Sequence, residues 1–164
     1  MSGRSGSKKR VMFIASTGGH LSELLRLSPL FESYDFSVVT EKTDSDFGRM
    51  RERYGDRAAF LIFGTRERPF AYPFKLFLNC WISLALFIKF RPRYIVTTGA
   101  HTAGPMCLIG KALGAKIVFI ESFANINSPS VTGKAVYKFA DLFIVQWESM
   151  LRFYPKARYF GGLL

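Results

Sequence analysis

Only two histidines occur in this chain of 164 residues, and each stands in a run of small and hydroxylated residues. His20 closes Ser16-Thr17-Gly18-Gly19-His20, which follows an apolar run and opens a helical pattern. Paired glycines let the backbone come close to a ligand, and the free amides at a helix start favour an anion such as phosphate. An imidazole beside that anion can act as a base or donate to a phosphate oxygen. The same residues also suit a plain tight turn with His20 as an exposed cap. His101 lies in Thr97-Thr98-Gly99-Ala100-His101-Thr102-Ala103-Gly104-Pro105, a second loop of small residues and hydroxyls that enters a helix and offers similar backbone donors. Two such loops on one sheet edge would make a diphosphate cradle from Thr17, Gly18, Gly19, Thr98, Gly99, His101, Thr102 and Gly104. Taken singly, Gly104 and Pro105 do no more than start a helix.

A third run, Lys116 to Ile120, delivers Glu121-Ser122-Phe123-Ala124-Asn125. A carboxylate leaving the end of an apolar strand is costly to desolvate unless it binds something. Glu121 is therefore a candidate for substrate hydroxyls or for orienting His20, with Ser122 and Asn125 as neighbouring contacts, and a helix-capping or Lys-paired acid as the structural alternative. Other chemistries drop out. The glycine spacing is not GxGxxG, so a nicotinamide cofactor is rejected, and Gly133-Lys134 lacks the upstream glycine and following hydroxyl of a P-loop. Cys80 and Cys107 sit in apolar runs without CxxC or Cys/His spacing, which predicts no metal, no disulfide scaffold and a reducing cytoplasm. No cofactor is expected.

The elements that must hold these residues alternate along the chain. Short β-branched or aromatic runs place strands near 11–16, 35–40, 59–63, 94–98, 116–121 and 141–146, with a short one near 157–160. Helical patterns lie near 20–32, 45–54, 73–90, 102–113, 132–139 and 147–153. In the first, Leu21, Leu24, Leu25 and Leu27 form the core stripe with Glu23 and Arg26 outside it, and Gly114 stops the fourth. Alternation of this kind predicts an α/β fold, a Rossmann-like parallel sheet with helices on both faces, whose ligands bind at the carboxyl ends of the strands. Residues 1–9 read as a flexible basic tail, and 10–164 as a single domain.

Composition narrows the partners. The chain is 49% hydrophobic with a formal charge of +11, too apolar for disorder and suited to phosphorylated substrates or anionic lipid headgroups. Nucleic acid is disfavoured, because the basic residues are dispersed and no helix-turn-helix, RNP or zinc pattern appears. The helix near 73–90 is unusual: Lys75, Asn79, Ser83 and Lys89 share one narrow arc and the rest is apolar. The thirteen residues between Lys75 and Lys89 give about 20 Å of helix, short of the roughly 30 Å needed to span a bilayer. Basic residues flank both ends, which predicts an in-plane membrane helix that sinks Phe74, Phe77, Leu78, Trp81, Ile82, Leu84 and Phe87 into an anionic surface. Burial between the sheet and a partner protein is the alternative.

Taken together, Thr17-Gly18-Gly19-His20, the Gly99 to Pro105 loop, the strand ending in Glu121-Ser122 and Phe139-Ala140-Asp141 resemble the acceptor half of MurG-like glycosyltransferases. Ile120 to Ala124, Asn127-Ser128-Pro129-Ser130 with Thr132-Gly133-Lys134, Val145-Gln146-Trp147-Glu148 and Tyr159-Phe160-Gly161-Gly162 are more specific. They resemble the membrane-anchoring subunits of the two-chain N-acetylglucosaminyltransferase of dolichol-linked glycan synthesis and their bacterial exopolysaccharide and capsule counterparts. The resemblance implies one half of a glycosyltransferase-B fold that binds a lipid-diphosphate-linked sugar acceptor. It further implies that a separate small chain supplies the UDP-sugar site in a heterodimer. It implies that the glycine loops hold the diphosphate, that His20 or Glu121 lies near the attacking hydroxyl, and that the sugar is transferred with inversion. Ser16-Thr17 and His101-Thr102 depart from the MurG-like pattern. With the sequence ending after its last expected strand, the resemblance leads to the expectation that the donor domain belongs to the partner. The chain lacks the N-terminal membrane segment common in eukaryotic members, which points to a bacterial member on the cytoplasmic face of the inner membrane, or of the endoplasmic reticulum if eukaryotic. A purely structural role, recruiting and stabilising the catalytic partner, is the alternative.

Overall fold

The computed structural model describes residues 8–63, 72–100 and 102–163. Among these described residues seven strands run β1 Arg10–Ala15, β2 Asp35–Lys42, β3 Ala58–Ile62, β4 Tyr94–Gly99, β5 Lys116–Ile120, β6 Leu142–Val145 and β7 Arg158–Tyr159. The described helices α1 Gly19–Leu25, α2 Ser28–Phe31, α3 Asp44–Tyr54, α4 Tyr72–Phe90, α5 Ala103–Ala112 and α6 Val131–Val136 lie between them, with 3₁₀ turns at Gly55–Arg57 and Glu148–Arg152. The strands form one sheet in the order β3-β2-β1-β4-β5-β6-β7, and every pairing is parallel.

A parallel sheet is buried on both faces only where helices cover both. Beneath α1–α3 lie Val11, Phe13, Phe36 and Val38; on the opposite face Met12, Ile14, Ile95, Ile117, Phe119 and Phe143 pack with α4–α6. Coverage is unequal. On the second face Ile95, Ile117, Phe119 and Val145 are fully buried, whereas on the first Tyr94, Val96, Val118 and Ile144 stay half exposed.

Several boundaries differ from the sequence expectation. The helix expected over 20–32 divides at Arg26-Leu27, with Pro29 in the first turn of α2, because a proline cannot donate into a continuing ladder. The helix expected at 132–139 ends at Val136, and that at 147–153 is a 3₁₀ turn. Glu23 is only 7% exposed, and so joins the core side it was expected to avoid; its carboxylate is hydrogen-bonded there. In the basic tail, residues 1–7 lie outside the described ones, while the Lys9 carbonyl accepts from Asp35 N–H and the Lys8 amine reaches the Glu32 carbonyl.

Helix α4 turns the middle of its polar arc inward, while Lys89 at its end stays exposed. Asn79 and Ser83 are buried, and the Asn79 side-chain amide pairs with the backbone of edge residue Ile62, accepting its N–H at 2.8 Å and donating to its carbonyl at 2.9 Å. At Ile62 one side chain thus occupies the ladder position that a further strand would take, which blunts this end of the edge. The opposite face carries Phe74, Phe77, Trp81 and Ile88, each more than half exposed. Phe87 corrects the expected membrane set: it is 7% exposed and belongs to the core, and Ile82 packs against the same core. Leu78 and Leu84 are half-buried. No helix among the described residues is long and apolar enough to cross a membrane.

Candidate functional site

The strand order reverses between β1 and β4, the point where open parallel sheets leave a crevice at their carboxyl ends. Both glycine loops open there. Ala15 pairs with Gly99 after a register shift at Ile14, so the ends of β1 and β4 lie side by side. Gly18 and Gly99 sit at φ 77° and 102°, a region that L side chains rarely adopt. Ala100, at φ 72°, follows Gly99 into the same region despite its methyl group, a strain of about 1–2 kcal/mol. Backbone strain of this kind is concentrated at functional loops.

His20 joins the two loops. Its Nδ1 lies 3.0 Å from the Thr98 carbonyl, and the Thr98 hydroxyl donates back to the His20 carbonyl at 2.7 Å. A carbonyl can only accept, so Nδ1 carries a proton and donates to it, which leaves Nε2 as the ring nitrogen not engaged by Thr98. Thr98 therefore orients the imidazole through its backbone carbonyl, while its hydroxyl holds the His20 main chain and has no second proton to give a ligand. Thr102, just before α5, is buried with a hydroxyl that has no partner among the described residues. Gly104 lies in the first turn of α5, where backbone amides have no acceptor within the helix. His101 lies outside the described residues.

Thr17 does not present its donors to the crevice. Its N–H donates to Glu41 at 3.1 Å, and its hydroxyl donates to Asp46, which is also bound by Arg49 and Thr43. Both acids are buried, at 1% and 3% exposure. An anion at the first loop is thereby left to the amides beyond Thr17. The Thr43-x-x-Asp46 spacing is a capping pattern readable in the sequence, and Thr43 does accept from Asp46 N–H. What Asp46 does for Thr17 appears only in three dimensions.

Glu121 is 1% exposed and surrounded by protein donors. Asn125 Nδ2 donates to its Oε1 at 2.8 Å, the Tyr154 hydroxyl donates to Oε2 at 2.7 Å, and Ser122 and Ser130 add backbone N–H groups at 3.3 and 3.4 Å. His20 is held by Thr98 and not by Glu121. Burial, then the charge and hydrogen bond of Glu121, push the Tyr154 hydroxyl's ionisation upward, so it stays a donor. A methyl group at Gly133 would stand 2.2 Å from Glu121 Oε2, which explains a glycine inside α6. Ser122 also faces inward: its hydroxyl donates to Glu23 at 2.9 Å. Glu121 and its neighbours thus lock the loop between β5 and α6. Tyr154 and Glu23 carry no motif; the one sequence signal for Glu23 is its place three residues after His20, on the same side of α1.

A profile described as "Oligosaccharide biosynthesis protein Alg14 like" matches residues 11–163. The chain belongs to this Alg14-like family. Among curated relatives, the UDP-N-acetylglucosamine transferase subunit ALG14 of Homo sapiens is 26% identical over 94% of this Alg14-like chain and 82% of its own length. Its Candida albicans counterpart is 28% identical over 94% and 78%. Among solved structures, Acinetobacter baumannii MurG superimposes with a TM-score of 0.69 at 19% identity, covering 86% of the Alg14-like chain and 42% of MurG. UDP-N-acetylglucosamine 2-epimerase from Rickettsia bellii gives 0.72 at 13% identity, covering 95% and 45%. The Alg14-like chain spans less than half of each of these two enzymes, whose likeness shows the fold.

Proposed function

We propose that this chain is the acceptor-binding, membrane-attaching subunit of a two-component inverting glycosyltransferase, which moves a sugar from a UDP-sugar onto a lipid-diphosphate-linked saccharide. The observation that carries the reading is the meeting of two glycine loops across the β1/β4 crevice, with His20 fixed between them by Thr98. The diphosphate lies against the amides of Gly18 and Gly19 and the α5 start at Thr102 and Gly104. His20 Nε2 takes the proton of the attacking acceptor hydroxyl as that oxygen bonds to the anomeric carbon. The bond from that carbon to the UDP oxygen breaks on the opposite side, which inverts the configuration. Glu121, already saturated by protein donors, serves this chemistry through loop shape.

The donor belongs to a second chain, as the word "subunit" in the relatives' names supports, and UDP-N-acetylglucosamine is the donor those names suggest trying first. The half-exposed face of β4 and β5 beside Leu27, Leu30 and Tyr34, a groove of about 410 Å³, gives such a chain an apolar seat. Exposed Phe74, Phe77 and Trp81 on α4 meet the membrane. The saturated state of Glu121 also favours a second reading, in which the chain only recruits its partner; a membrane-tethered partner would then work without it.

Reconstitution tests the proposal. This chain, a small donor-binding partner, UDP-N-acetylglucosamine and an isoprenoid diphosphate-linked N-acetylglucosamine should together give transfer, and neither chain alone should. His20→Ala should slow the reconstituted reaction by about 10²–10⁴-fold, the usual contribution of a positioned base. Transfer by this chain alone would refute the division of labour, and an undiminished rate in His20→Ala would remove the base.

A further inference from the structure

The main chain of Phe123 is held from two sides by side chains distant in sequence. Glu23 Oε1, from α1, accepts the Phe123 N–H at 3.0 Å as well as the Ser122 hydroxyl, and the Trp147 indole N–H, just past β6, donates to the Phe123 carbonyl at 2.7 Å. The rings of Phe123 and Trp147 pack at 4.6 Å between centroids, and both remain half exposed. The second oxygen of Glu23 is buried and has no partner among the described residues. Both bonds of the clamp end on one oxygen of Glu23, so a single side chain of α1 sets the position of the Ser122-Phe123 turn.

Glu23 lies three residues after His20 on α1, so the helix that carries the imidazole also carries the clamp on the β5–α6 loop. We propose that Glu23 is a positioning residue: it ties the Phe123–Trp147 ring pair to the helix bearing His20, so that the pair forms a platform for the sugar ring of the acceptor. Half-exposed aromatic faces suit the apolar face of a pyranose, and the clamp fixes their distance from the base before the substrate arrives. This inference rests on the acceptor-binding reading above.

Two sets of measurements separate the clamp from that reading. In the full chain carrying Trp81→Phe, Trp147 is the one remaining tryptophan. Glu23→Ala should shift its emission to the red and raise hydrogen exchange at the Phe123 amide by at least tenfold, whereas Glu23→Gln, which keeps an acceptor oxygen, should stay close to the parent. In the reconstituted pair with Trp81 intact, Glu23→Ala should raise KM for the isoprenoid diphosphate-linked N-acetylglucosamine at least tenfold and leave KM for UDP-N-acetylglucosamine unchanged, with Glu23→Gln again near the parent. Trp147→Ala should give the same split. Unchanged emission and exchange would overturn the clamp. Changed emission with an unaltered acceptor KM would reduce Glu23 to a structural role and overturn the platform. Should the unsubstituted pair transfer no sugar, the glycosyltransferase reading falls, the platform falls with it, and emission and exchange still decide whether the clamp exists.

Discussion

Removing the Tyr154 hydroxyl isolates the bond that fixes the candidate acceptor loop. Tyr154 is 2% exposed, and its ring packs on Phe143 and Tyr137 at 4.5 and 4.9 Å between centroids, contacts that Tyr154→Phe keeps. What it loses is the 2.7 Å donor to Glu121 Oε2, leaving that buried oxygen with the Ser130 N–H at 3.4 Å. A hydrogen bond to a charged group is worth about 1.5–3 kcal/mol, and a domain of this size loses about 2–4 °C of Tm per kcal/mol, so a fall of about 3–12 °C is expected. Urea unfolding followed by circular dichroism measures the free energy directly. Glu121→Gln, which removes the charge in place, completes a double-mutant cycle that should show a coupling of at least about 1 kcal/mol. Tyr154→Phe within about 0.5 kcal/mol of the parent, or strict additivity with Glu121→Gln, would show that the buried carboxylate does not depend on this donor.

Replacing Phe74, Phe77 and Trp81 together by serine should reduce binding to phosphatidylglycerol-containing vesicles at least about 100-fold, since each buried aromatic contributes about 1.5–3 kcal/mol, and should leave Tm nearly unchanged. Phe87→Ala, on the buried side of the same helix, should cost about 3–5 kcal/mol of stability; vesicle binding by the serine variant equal to the parent's would exclude α4 as the membrane contact. Asn79→Leu leaves the Ile62 N–H and carbonyl unpaired, so urea unfolding should show a loss of about 1–3 kcal/mol and gel filtration a concentration-dependent association through the freed edge. Burial works to raise the Asp141 carboxyl, but the Ile117 N–H, Lys111 and Lys116 outweigh it and hold it at about 2 against an ordinary 3.8. A depressed carboxylate stabilises the fold fully above pH about 4 and loses that contribution as pH falls toward about 2. The gap in unfolding free energy between parent and Asp141→Asn, about 1 kcal/mol after solvent screening, should therefore close between pH 5 and about 2; a gap constant with pH would remove the ion cluster as its source.

The order of strands and helices was legible in the chain because hydrophobic period and glycine position are local properties. Each strand end that the pattern marked, at Ser16, Gly99 and Glu121, does lie on the carboxyl rim of the sheet. Errors arose where a residue type was taken as a sign of its surroundings. Charge placed Glu23 outside the core stripe, yet a hydroxyl and an amide about a hundred positions along the chain take it inside. Which way the polar arc of α4 faces is not written in the helix itself: Asn79 and Ser83 turn inward, where the Asn79 amide pairs with the Ile62 backbone. Thr17 and Ser122 carry the hydroxyls expected of ligand contacts, but protein carboxylates already accept from both.

Local pattern thus sufficed for the parallel α/β layering, the two glycine turns and the imidazole between them, since backbone freedom and periodicity act within a few residues. Which polar atoms are spent inside the protein and which stay open to a ligand was settled by packing. A hydrogen bond has a short reach, and the partners of Glu23, Glu121 and Thr17 come together only when distant strands are laid side by side.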